Sequence, residues 1–131
     1  MRAAGINVCL RLGLICRPTR EEAISVAKSI LPEDKHETTT ALKDDSQMYR
    51  EGAAVASDAH WLSPNLWAGL VPHYGPVWTT LLGSPVEIAG VFMEYKKIGV
   101  TDFIMSGWPE IDEVDRFGRD VLPLVRNAES A

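Results

Sequence analysis

Only two cysteines occur in the 131 residues, Cys9 and Cys16, and both fall within one strand-like run. Their odd spacing sends the two side chains to opposite faces of a strand, so they cannot bridge each other there. Neither stands in a Cys-x-x-Cys pair or beside a histidine, and both read as buried apolar thiols. His36 and His60 lack metal-ligand spacing and read as surface residues, so no metal site is expected. Basic residues are outnumbered, with 13 Lys and Arg against 18 Asp and Glu, a net charge of −5 and no basic stripe. That balance excludes a nucleic-acid partner. No apolar stretch approaches the ~18 residues of a membrane span, and Met1-Arg2-Ala3-Ala4-Gly5-Ile6-Asn7-Val8 is too mixed for the apolar part of a signal peptide. The expectation is a cytoplasmic protein without a membrane partner. Internal repeats and low-complexity tracts are also absent.

What remains is ordinary globular material, 46% hydrophobic, in a length suited to one domain. Residues 8–16, Val-Cys-Leu-Arg-Leu-Gly-Leu-Ile-Cys, read as a strand buried on both faces. Arg11 and Gly13 share one face; Leu10, Leu12 and Leu14 share the other, which is the one expected to lie under helices. A helix should follow at once. Thr19 and Glu22 have capping-box spacing, Ala23, Ile24, Ala27, Ile30 and Leu31 recur with helical period, and Pro32 closes the segment.

Residues 33–77 form a long excursion: a polar stretch, an expected helix over 46–59, and a loop-like segment over 62–76 rich in Pro, Gly and aromatic residues. The composition of that last segment suits an ordered loop packed on something. Residues 78–83 read as a short strand. Ser84-Pro85-Val86-Glu87 is a strong helix start, Ile88, Val91, Phe92, Tyr95 and Ile98 form an apolar stripe, and Gly99 is the stop. Residues 100–105 read as another strand ending in Ser106-Gly107-Trp108-Pro109. The last helix carries Ile111, Val114, Phe117, Val121, Leu122 and Val125, and Pro123 should kink it or end it early. Strand and helix alternate, which predicts an α/β fold with parallel strands.

Two segments carry a family resemblance. One is Ser63-Pro64-Asn65-Leu66-Trp67-Ala68-Gly69; the other runs from Leu82-Gly83-Ser84-Pro85 through Glu94-Tyr95 and Ile98-Gly99 to Phe103-Ile104-Met105-Ser106-Gly107-Trp108-Pro109. Together they resemble the bacterial luciferase-like flavin-dependent monooxygenases, alkanesulfonate monooxygenase type. The resemblance spans nearly the whole chain, which then corresponds to about the last three strand-helix units of a (β/α)8 TIM barrel, with Arg2-Ala3-Ala4-Gly5 as the tail of the preceding helix. A closed barrel needs ~250 residues, so this chain would not close one alone.

The resemblance implies a two-component system, in which a separate flavin reductase supplies reduced FMN and the monooxygenase uses it with oxygen on a small organic substrate, organosulfur compounds included. Such a protein must hold the flavin, supply cations and exclude water. Carried over residue by residue, the family's strand arginine falls on Arg11 and the next histidine on Gly13. The tyrosine and histidine of the terminal turn fall on Trp108 and Glu110. The family's loop arginine has no counterpart, its stretch being Tyr74-Gly75-Pro76, with His73 beside it. Arg11 and Trp108 are thus the catalytic candidates, and Gly13, His73, Tyr74, Ser106, Gly107 and Glu110 the candidate substrate or flavin pocket. Because a carboxylate at Glu110 repels a sulfonate, a more neutral or cationic substrate fits equally well.

Bland readings stand beside these. Arg11, in a strand expected to be buried on both faces, should meet an acid or a ligand anion; Glu110 suits the first turn of any helix; Trp67, Trp78, Tyr74 and His73 could form a lid or simply pack. Isolated catalytic activity is not expected. The alternative is a non-catalytic flavin-binding or assembly module that pairs with another copy or partner through exposed strand edges. A third reading is a complete small α/β domain, which predicts a continuous sheet with both edges covered.

Overall fold

The computed structural model describes residues 5–31 and 61–130. The expected helix over 46–59, Pro32, His36, His60 and the Arg2-Ala3-Ala4 segment lie outside the described residues. The strands are β1 (Cys9–Cys16), β2 (Trp61–Ser63), β3 (Leu66–Trp67), β4 (Thr80–Gly83) and β5 (Asp102–Gly107). The helices are α1 (Arg20–Ser29), a single turn α2 (Val71–Tyr74), α3 (Pro85–Lys97), α4 (Glu110–Arg116) and α5 (Leu122–Ser130). A 3-10 turn, Pro76–Trp78, precedes β4, and a π-helical turn, Phe117–Val121, joins α4 to α5.

Five strands form one open mixed sheet in the order β2-β3-β4-β1-β5. β1 is parallel to β4 and to β5, while β2 and β3 make an antiparallel hairpin on the far side of β4. The α/β class and the parallel centre agree with the sequence pattern. The strand order does not follow chain order: the connection from β1 reaches β4 on one side, and the connection from β4 crosses back to β5 on the other. Crossovers of one hand that run in opposite directions must place their helices on opposite faces. They do so here. Ile15 and Leu82 pack with Ala23 and Ala27 of α1, whereas Leu12, Leu14, Cys16 and Leu81 pack with Ile88 and Phe92 of α3 and with Val121 and Val125. Three consecutive barrel units would instead run β1-β4-β5 with all helices on one face.

The leucine face therefore lies under helices, as the alternation predicts. Burial on both faces holds only for the second half of β1. Cys9 and Arg11 are exposed, because β4 begins opposite Gly13 and only β5 flanks the strand before it. Cys9 is thus not a buried thiol, while Cys16 is.

Local signals were mostly realised. Thr19 caps α1 by accepting from the Glu22 N–H, without the reciprocal glutamate bond. Ser84 and Glu87 form both halves of the capping box on α3, and Gly99 follows its end with φ 105°. Ile98, Ile111 and Val114, expected on apolar stripes, are exposed at 73%, 79% and 70%. The stripe of the last helix is instead Glu113, Phe117, Val121 and Val125, one position in four along the face turned to the sheet. Pro123 neither ends nor breaks this helix. The Leu122 N–H bonds to the Phe117 carbonyl five residues back, and this widened turn contains the Arg119 carbonyl that a proline ring at 123 would otherwise crowd.

The stretch expected as loop over 62–76 is largely the β2–β3 hairpin and α2. Asn65 fastens it: its side-chain amide donates to the Leu82 carbonyl at 2.9 Å and to Glu87 Oε2 at 3.1 Å. Trp67 is buried, and a Cβ on Gly69 would lie 2.0 Å from its ring, so glycine is required beside it. Arg20 holds the hairpin to α1 through the Pro64 carbonyl and stacks 4.7 Å from the Trp61 ring centroid.

Candidate functional site

Two neighbouring regions contain all eight candidate residues. The first is the face of the sheet that α1 covers only at one end. In register, Arg11 stands beside Ile104 and Gly13 beside Ser106, so these four positions share that face. Arg11 and Ile104 are exposed, Ser106 is half-buried and Gly13 is buried. The expectation that Arg11 needs a buried counter-charge is corrected: its exposure removes the desolvation cost, and it forms no ion pair among the described residues.

Gly13 has a steric reason. A Cβ there would lie 2.8 Å from Thr80 Oγ1 and 3.1 Å from the Trp78 ring, so the space an imidazole would need is already filled. Trp78 leads on to Tyr74, with ring centroids 6.4 Å apart, and Tyr74 to His73 at the same separation. The Tyr74 hydroxyl donates to the Ile30 carbonyl at 2.7 Å, which pins α2 to the end of α1. His73 Nδ1 is buried without a hydrogen-bond partner. Of the four residues considered for a lid, Trp67 belongs to the core, while Tyr74 and Trp78 pack against α1 and β1 respectively.

The second region is the C-terminal end of β1 and β5, where the two chain exits turn toward opposite faces. Open α/β sheets place ligand crevices at such a switch. Here the crevice is bridged by Arg17. Its Nη1 donates to the Cys16 carbonyl at 2.7 Å and to Glu113 Oε1 at 2.9 Å, and its Nη2 donates to the Trp108 carbonyl at 3.1 Å. Glu113 also accepts from the Cys16 N–H at 3.2 Å. Gly107 exists for this pair, since a Cβ on it would lie 2.2 Å from Glu113 Cβ. Trp108 is 48% exposed, and Glu110 is exposed at the first position of α4.

Burial raises the carboxyl pKa of Glu113 above its usual range, and the Arg17 contact and the Cys16 N–H only partly oppose that. Cys16 beside it is pushed up to about 12 by burial and by the Glu113 charge, so it remains a thiol and is no nucleophile. A carboxyl that holds its proton more tightly in the fold contributes stability fully below the unfolded pKa and loses that contribution as pH rises through the folded one. Between the ordinary glutamate range and neutrality, the native protein should lose stability relative to a Glu113→Gln variant. Urea unfolding of both proteins across that window checks this, and a pH-independent difference would refute it.

Sequence reading missed Arg17, Glu113 and Arg116. Two signals were present: an arginine directly after an apolar strand run, and a glutamate at a helical position in step with Phe117, Val121 and Val125. No group of three or more potential ligands is placed to hold a metal among the described residues. No described helix is long and apolar enough to cross a membrane. No protein-family model matches the sequence.

Proposed function

We propose that this chain is the C-terminal portion of a luciferase-like, FMN-dependent monooxygenase of the alkanesulfonate monooxygenase type, contributing to a flavin and substrate pocket and inactive in isolation. The observation that carries this is that Ser106, from the second resembling segment, stands beside Gly13 on the sheet face that Arg11 and Gly13 share, a face only incompletely covered. The fit to a flavin is partial. Arg11 offers an exposed cation for an anionic group, and Ile104 offers an apolar contact beside it. The face is open to solvent there, so water exclusion has to come from further chain. Reduced FMN, supplied by a reductase, brings the oxygen chemistry; the residues here bind and orient. The Glu110 carboxylate repels a sulfonate, so a neutral or cationic substrate fits at least as well, and Trp108 keeps an aromatic surface without a phenol proton.

The barrel reading carries a demand. Its closure places β4 between β1 and β5 with all helices on one face, so β5 must exchange β1 for β4, and α1 and α3 must come to the same face, when the other units join. Anaerobic titration with reduced FMN tests the flavin reading. Saturable binding is expected, weakened about tenfold or more by Arg11→Ala, as for loss of a charged hydrogen bond. No saturation at millimolar FMN refutes it.

A second reading has its own support. β5 pairs only with β1 among the described residues, and its free edge runs beside half-exposed Ile104 and a groove of about 350 Å³ lined by Phe92, Phe103, Met105 and Phe117. Such an edge is a template for pairing with a second copy or a partner. Sedimentation showing only monomer would eliminate self-pairing.

A further inference from the structure

The two edges of the sheet differ in kind. β2, at one end, has three residues, runs into Pro64, and lies under Arg20, which stacks on Trp61 and bonds to the Pro64 carbonyl. Short strands, prolines and charges are the means by which natural edges resist pairing. β5, at the other end, has six residues, Asp-Phe-Ile-Met-Ser-Gly, with no proline and one charge, at its first position. The Asp102 N–H donates to the Val8 carbonyl at 3.1 Å, which fixes the direction of the backbone. Since that direction alternates along a strand, Ile104 and Ser106 also turn their backbone groups to β1, whereas those of Phe103 and Met105 point out of the sheet. Two apolar features border this edge on the helix-covered face, at its opposite ends. Near Asp102 lies the groove of about 350 Å³, lined by Phe92, Phe117, Leu122 and Val125. Near Gly107 stands Val114 of α4, 70% exposed, with Ile111 one helical turn earlier at 79%.

We propose that two copies of this chain associate by antiparallel pairing of β5 with β5 about a dyad at Ile104, joining their five-stranded sheets edge to edge. This deepens the strand-edge reading above and rests on it. The register follows from the residues. Outward-facing backbone groups must meet their like, and a dyad at Ile104 sets Phe103 opposite Met105 of the second copy, so that each donates and accepts once across the axis. Asp102 then faces Ser106 of the second copy, and the one residue that meets itself is Ile104, an apolar pair; no like charges oppose each other. Moving the dyad to Phe103 or Met105 would leave part of the strand unpaired. Arg11 stands one strand in from the axis, so the two guanidinium groups are about three strand spacings or ~14 Å apart, beyond the ~8–10 Å screening length. Pairing of two short strands is marginal alone, and stable interfaces bury upward of about 1,200 Å². The remainder comes from the helical side. Because the strands run in opposite directions, the Ile111 and Val114 end of each copy comes to the groove end of the other, twice over, as an isologous interface requires.

Sedimentation equilibrium of the full chain, carried up to about 1 mM, tests the association, and cysteine cross-linking tests the register. A concentration-dependent dimer is expected, tightened by added salt because each copy carries a net charge of −5. Ile104→Lys sets two ammonium groups against each other at the dyad and should weaken the dimer at least tenfold. Ile104 is 52% exposed, so the variant keeps its fold. Val114→Ser should weaken the dimer less, by loss of apolar contact in the groove. A pair of this kind holds its Cα atoms ~4.5 Å apart, within the ~4.4–6.8 Å that a disulfide spans. Ile104→Cys should therefore oxidise to a covalent dimer, in a Cys9→Ser background because Cys9 is itself exposed, while Val86→Cys at an equally exposed site should not. Monomer at every concentration, as when residues 32–60 or another protein cover the edge, would overturn this proposal and strand-edge self-pairing together. A dimer that tolerates Ile104→Lys and is not cross-linked through Ile104→Cys would overturn the β5 interface alone and leave association through another surface standing.

Discussion

Arg17→Ala should destabilise the protein by about 3–5 kcal/mol at neutral pH, the range found when one partner of a buried ion pair is removed. Arg17 and Glu113 are 10% and 2% exposed at their side chains, so solvent cannot replace the lost contact. Three bonds disappear together, to Cys16, Glu113 and Trp108, and with them the tie between the exits of β1 and β5. Glu113 is then left to ionise without its partner. The penalty should therefore shrink at a pH below the usual glutamate range, where the raised pKa keeps the carboxyl neutral. A double variant, Arg17→Met with Glu113→Leu, should cost clearly less than the sum of the two single changes, because neither charge remains buried. Chemical denaturation at two pH values reads both effects. An Arg17→Ala cost below 1 kcal/mol at neutral pH would show that the bridge does not hold the crevice.

Phe92→Ala should cost about 3–5 kcal/mol, as expected for truncating a buried phenylalanine. Phe92 is 3% exposed on α3 and meets Phe103 of β5 edge-to-face at a centroid distance of 4.6 Å and Phe117 at 5.6 Å. One ring therefore joins α3, β5 and the π-helical turn, the three parts that make the covered side of the sheet. The groove beside it, also lined by Phe103 and Phe117, would enlarge by the lost ring rather than close over it. Urea unfolding should show a lower midpoint with an unchanged slope, since the surface exposed on unfolding is nearly the same. Phe92→Leu should recover part of the loss. If Phe92→Ala lowers the midpoint no more than an exposed change such as Ile98→Ala, the cluster does not organise this face.

The sheet switch gives both results their functional meaning. The helix after β1 covers one face of the sheet while the helices after its neighbours β4 and β5 cover the other, so the loops after β1 and β5 part from each other, and Arg17 crosses the gap. The same departure places Arg116 and Arg119 over the end of β1.

Local sequence sufficed wherever a signal acts within a few residues. The alternation of 8–16 separates the leucine face from the Arg11 face; Ser84-Pro85-Val86-Glu87 builds its cap from four adjacent residues; Gly99 stops α3. Those calculations need only backbone periodicity and the unsatisfied N–H groups of a helix start. Arg11, Gly13 and Ser106 could be singled out from sequence, but that Gly13 yields its space to Trp78 depends on the fold of residues 67 positions or less away in chain and adjacent in space. The exposure of Arg11 depends on how far β4 extends along β1, and the Glu113–Arg17 pair on a separation of 96 residues. Strand order lies beyond both: a strand's alternation says which side chains share a face, but its two edges offer the same backbone donors and acceptors. Only the packing of α1 on one face and α3 on the other settled that β5 joins β1, and with it which arginines meet.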